Sequence, residues 1–298
     1  MSASAEKART QRLLRLDSSL GVRLEHPEVA VETLVSELQL GEVLPESWER
    51  LHAAAARDGK EAELALAYGK VTVDRRLKQL TLEERTTLLL HAADFCQGIL
   101  GDGVAAEGYL SRVLELVPDH EDAFSRLELR FSAAKDKIRL VELYALVAAK
   151  PPRPPGALAT AAVNILSQLS SKSPVSDDAC RKLLALLPES PTLLGVLETH
   201  CLSTGRPTLA CTLLEESLGI WSGTKSEVTE RRRHLIALYL GDANSPSKAI
   251  VHLENLLIQN PNDAQARSAA ERLLRDPHVA SRAAAALQMA RRDARDRG

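Results

Sequence analysis

Aromatic residues are scarce in this chain: three Phe, two Trp and four Tyr make up 3% of its 298 positions. Antiparallel sheets lean on aromatic and β-branched side chains, so the scarcity argues against a sandwich or barrel. Long apolar runs are missing too. The apolar stretches carry a polar residue every three or four positions and never approach the roughly 18 residues of a membrane helix. The opening MSASAEKARTQRLLRLDSSL has neither an apolar core nor a small-residue cleavage site, so it does not read as a secretory signal. These absences predict a cytoplasmic chain with no membrane insertion. Net charge is nearly absent: 38 basic residues face 40 acidic ones, leaving −2, which is not the basic field that nucleic acid requires. Cys96, Cys180, Cys201 and Cys211 are widely spaced, with no C-x-x-C pair, and read as small core residues rather than disulfides.

Catalytic signatures are lacking as well. The eight histidines offer no second ligand at metal-binding spacing; His200 and Cys201 are adjacent, which makes their side chains diverge on a helix. The run Gly98–Gly103 faintly resembles a phosphate loop, but no strand precedes it and no Lys-Ser/Thr follows, so a helix–helix turn is the better reading. The expectation is no metal, no cofactor and no enzyme activity.

What is present is helical pattern. Ala106, Leu110, Val113, Leu114 and Val117 recur at spacings of three and four, as do Leu253, Leu256 and Leu257. Start signals are frequent: Pro45 at a first helical position, Thr81 with Glu84 as a capping box, Ser190 before Pro191, and Asn262-Asp263. Gly59, Gly101, Gly205 and Gly241 each follow an apolar run and read as stops. About a dozen helices and no strand are predicted.

The helices keep a rhythm. Prolines that close an apolar helix fall at Pro118, Pro152, Pro188 and Pro261, separated by 34, 36 and 73 residues. Ser222 lies 34 after Pro188, where one more would fall. The rhythm divides the chain into six units, at 45–78, 87–120, 121–154, 155–190, 191–224 and 229–263. Trp48, Leu51, Ala55, Gly59 and Tyr68 mark the first; Leu235, Tyr239, Ala249, Leu253, Leu256 and Pro261 mark the last. Unit 155–190 is the weakest, with Ser176 and Cys180 at packing offsets. This pattern resembles the tetratricopeptide repeat, a pair of antiparallel helices of about 34 residues. The resemblance implies an all-α, right-handed helical-repeat solenoid of about six repeats. Residues 1–44 would add N-terminal helices, and 264–298 C-terminal capping helices. Another helical-pair array of HEAT type, or an unrelated bundle, are the alternative folds.

The resemblance also implies a function: a non-enzymatic scaffold or adaptor whose concave face, lined by first helices, binds a segment of a partner protein. The family's groove offsets fall on Glu46, Glu49, His91, Phe95, Asp122, Ser125, Leu129 and Arg233. The Lys and Asn that clamp a terminal carboxylate in one subclass are absent from the matching positions. The groove therefore reads as acidic, then apolar around Phe95 and Leu129, and suits a partner with apolar anchors and positive charge. The alternative is a regulatory or assembly subunit that embraces an enzyme or senses a small ligand. Two local features stand apart. The segment 150–155, KPPRPP, is a stiff turn or marks a joint near 150–175. Arg231-Arg232-Arg233 reads as the opening of a helix, where cations oppose the macrodipole.

Overall fold

The computed structural model describes residues 24–41, 43 and 45–296. They form sixteen helices and no strand. In chain order these are α1 (Pro27–Gln39), α2 (Pro45–Asp58), α3 (Glu61–Val71), α4 (Asp74–Leu77), α5 (Leu82–Gly98), α6 (Gly103–Leu116), α7 (Glu121–Ala133) and α8 (Lys137–Leu146). They continue as α9 (Pro155–Leu166), α10 (Asp177–Leu184), α11 (Pro191–Ser203), α12 (Pro207–Ile220), α13 (Lys225–Leu240), α14 (Pro246–Gln259), α15 (Ala264–Leu273) and α16 (Ala280–Asp296). The part of the N-terminal expectation that falls on 1–23 lies outside the described residues.

Local chemistry explains most boundaries. Thr81 Oγ1 accepts from Glu84 N at 3.2 Å while Glu84 Oε2 accepts from Thr81 N at 2.7 Å, closing the expected capping box on α5. Ser190 and Asp263 cap α11 and α15 by accepting from Leu193 N and Ala266 N. Gly59, Gly101 and Gly205 end their helices at φ of 66°, 66° and 72°, values that cost glycine little. Gly241 differs: its φ is −101°, and the chain turns instead at Asn244, φ 43°. The arginine run also differs from expectation. Thr224 and Glu227 form a second capping box, so α13 begins at Lys225 and Arg231–Arg233 sit beyond its first turn. The macrodipole penalty read from sequence does not apply there, because that field fades within a turn.

The helices alternate as first and second members of pairs, and Pro118, Pro152, Pro188 and Pro261 each follow a second member. The extra helix α4 fills the interval between the first two pairs. Residues on either side of position 130 form two compact units. In the first, α1 and α2 pack on α3, α3 on α5, and α5 on α6. Its core holds Trp48, Leu51, Leu64, Tyr68, Leu88, Leu89, Phe95 and Leu114, all without solvent exposure. In the second, α8 packs on α9 and α10, α9 on α11, and α11 on α12; then α12 meets α13, α13 meets α14, and α14 meets both α15 and α16. Within each unit, helices thus pack on near neighbours in sequence, the bonding pattern of a helical repeat. The proline-rich segment lies inside the second unit, where Pro155 is the first residue of α9. Ser176, in the weakest unit, is a cap rather than a packing residue: its hydroxyl accepts from Ala179 N at 3.2 Å. That cap leaves α10 only eight residues long. All four cysteines are buried free thiols.

Candidate functional site

In the first unit, α2, α3 and α5 bring together a ring cluster. His91 stacks on Trp48 with centroids 4.7 Å apart, and His52 shares a 2.6 Å hydrogen bond between Nε2 and the Tyr68 hydroxyl. Phe95 stands 5.1 Å from His52 and 5.6 Å from Tyr68. Burial, reinforced by His91, pushes the His52 imidazole down to about 4. Burial also lowers His91, against the opposing pull of Asp94.

This cluster corrects one expected contact. Phe95 is 0% exposed and is a core residue, not a partner anchor. Its apolar ring completes the aromatic packing that a chain with nine aromatics concentrates here. His91 is half-buried against Trp48. Glu46 and Glu49 are exposed on α2. On α7, Asp122 is exposed and pairs with Arg126, which also reaches Asp94 at 2.8 Å; Ser125 is half-buried and Leu129 is 73% exposed.

The second unit builds a different arrangement around α13. Arg231 lies over the Trp221 ring at 3.4 Å and donates to Ser217 Oγ at 3.0 Å. Arg233 ion-pairs with Glu230 and donates from Nη2 to Asp263 Oδ2 at 2.6 Å. Burial by itself would raise Asp263, but bonds from Ala266 N–H and Arg233 outweigh it and hold the carboxyl below its usual value. Asp263 therefore serves two purposes. It caps α15 and, through Arg233, ties the first helix of one pair to the start of the next.

Beside this tie is a cavity of about 370 Å³. Its walls come from α13 and its end (Arg233, Ile236, Ala237, Leu240, Gly241), from α14 (Leu253, Leu256) and from α15 (Gln265, Ala266, Ala269, Arg272). Of the expected contact residues, Arg233 lines it. Sequence reasoning missed the α15 wall because 264–298 reads as a cap. The available signal was an Ala-rich helix face, Ala266, Ala269 and Ala270, carrying Gln265 and Arg272 beside it. A smaller cavity of about 240 Å³ in the first unit is lined by Glu32 and Arg76, which pair at 2.7 Å.

Among the described residues, no three or more His, Cys, Asp or Glu converge to hold a metal, and no helix is long and apolar enough to cross a membrane. The fold is that of an all-helical repeat protein. No family model matches the chain. No curated protein matches it either. Among solved structures it is similar to an assembly chaperone of RpL4 (Acl4, residues 1–338), at 16% identity, with 80% of this chain and 100% of that chain covered and a TM-score of 0.27. An overlap that small carries nothing about this chain's partner or activity.

Proposed function

We propose that the chain is a non-enzymatic, tetratricopeptide-type scaffold or adaptor of the cytoplasm that binds a segment of a partner protein. The reading is carried by the cavity of the second unit, where the first helices α13 and α15 stand on either side of the second helix α14. Side chains of mixed apolar and polar character face that opening, and a recess of this kind is suited to recognition. The array would span 45–263, with α15 and α16 closing it. Exposed Glu46, Glu49, Asp122 and Leu129, together with half-buried Ser125 and His91, form a second contact surface in the first unit. A cavity of about 370 Å³ also lies within the size range of small-ligand sites, which supports the alternative of a ligand-sensing regulatory subunit.

Affinity capture with the full chain, read by mass spectrometry, tests the proposal. A specific partner is expected, with weaker retention by the Glu46→Lys/Glu49→Lys variant. Capture equal to an unrelated bait would refute the scaffold reading. A partner held undiminished by the double variant would remove the first-unit surface from it. A melting shift with nucleotides but no captured protein would favour the ligand-sensing alternative.

A further inference from the structure

The recess between α13 and α15 has a wall chemistry that selects its occupant. Ile236, Leu240, Leu253 and Leu256 supply an apolar floor, and no aromatic ring is among the lining residues. Bases therefore have nothing to stack on, which disfavours single-stranded nucleic acid. Within the wall, Arg233 Nη1 and Nη2 are committed to Glu230 and Asp263, but its Nε is buried with no hydrogen-bond partner. That buried Nε is closed to any occupant of the recess, so Arg233 shapes the wall and offers no free donor to a ligand.

Charge at this end of the chain adds to that selection. Residues 264–298 hold eight arginines, no lysine and four acids, a net of +4, which leaves −6 on the other 263 residues. Arg233 adds little to this field, because two carboxylates face it. On α15 and the turn after it, Arg267, Arg272 and Arg275 stand against Glu271 and Asp276, a local excess of one positive charge. Arg272 lines the recess, and Arg275 lies one turn further on; both are exposed, and among the described residues neither side chain has a hydrogen bond or ion pair. Arg282, by contrast, is spent on Glu254 at 2.6 Å. A ligand that meets both Arg272 and Arg275 must extend beyond the recess, so the fit is to an extended chain rather than a compact molecule.

We infer that the α13–α14–α15 recess takes an acidic peptide segment of a partner protein. An aliphatic side chain of that segment fills the floor, and flanking carboxylates meet Arg272 and Arg275. This rests on the scaffold reading above and adds the partner's chemistry, which is opposite in charge to that expected for the acidic first-unit surface.

The test uses the full chain and a short fluorescein-labelled peptide carrying two leucines flanked by aspartates, read by fluorescence anisotropy. Controls are the same peptide with asparagines for aspartates, and sodium octanoate as a competitor. Arg272→Glu and Gln265→Glu change exposed side chains, and Ala237→Glu places a carboxylate at an exposed position of the recess wall. Expected are saturable binding that weakens with salt, at least tenfold weaker binding of the asparagine peptide, and at least tenfold loss in Arg272→Glu and Ala237→Glu with unchanged circular dichroism and melting temperature. If Arg272→Glu melts early, Gln265→Glu and Ala237→Glu decide. No binding, equal binding of the asparagine peptide, or wild-type affinity in the folded variants overturns the inference. Octanoate binding without peptide binding also overturns it, in favour of a small carboxylate. A captured partner retained by these variants leaves the scaffold reading standing while this inference fails; absence of any captured partner strikes the scaffold reading itself.

Discussion

The imidazoles of His52 and His91 are packed among Trp48, Tyr68 and Phe95 as neutral rings, with Asp94 acting on His91 from its own helix. Because His52 titrates near 4 in the folded chain and near 6.5 when unfolded, the unfolded state binds the proton first. The stability from this site is complete above about pH 6.5 and is lost as pH falls toward 4, by at most about 3 kcal/mol. Melting temperature measured from pH 7.5 to 4.5 should therefore fall, and His52→Gln should flatten the decline. A parallel decline in the variant would refute the assignment. Asp263 supports a second prediction at this scale. Asp263→Ala removes the α15 cap and the Nη2 bond of Arg233, leaving it only Glu230, and should cost about 1–3 kcal/mol, whereas Asp263→Asn keeps the cap and should cost less. Chemical denaturation of the two variants measures the difference.

Among the helices, α10 is short and follows a loose connection. It has eight residues, and the segment 167–174 before it is mostly exposed and polar. Exposed backbone without apolar anchorage is where proteases cut. Limited trypsinolysis is expected to cut first after Lys172. The proline-rich turn should resist, since both Lys150 and Arg153 precede proline. First cleavage elsewhere, identified by mass spectrometry, would show that another helix opens more readily. Helix α13 teaches a related lesson. Its three arginines look like a conflict with the macrodipole until the upstream Thr224–Glu227 box is recognised. The same T-x-x-E signature that marks α5 at Thr81 was present in the sequence there.

For the whole chain, nearest-neighbour packing makes the last pair essential. The faces of α15 and α16 cover Ile236, Ile250, Leu253 and Leu257 with Ala270, Leu273, Ala283 and Leu287. Deleting 264–298 would expose that apolar surface, and arrays without a polar end lose solubility. Light scattering after size exclusion should show self-association of the truncated chain, with the full-length chain as control. A well-behaved truncation product of unchanged size would mean that α14 is an adequate end by itself.

Helix type, helix order and the spacing of closing prolines were legible in the sequence alone, because apolar periodicity, caps and stops are local signals written within a turn or two. The capping box at Thr81 and the caps at Ser190 and Asp263 were readable for that reason. Which side chains remain available to a partner was decided by tertiary structure. Phe95 occupies a first-helix offset that implied exposure, yet His52 and Tyr68 from neighbouring helices enclose it. Arg233 is tied to Asp263 across thirty positions, and the recess beside it exists because α15 returns against α13 and α14. Periodicity gives the face a residue occupies on its own helix; the neighbours that cover that face, or leave it open, come only from how the pairs stack.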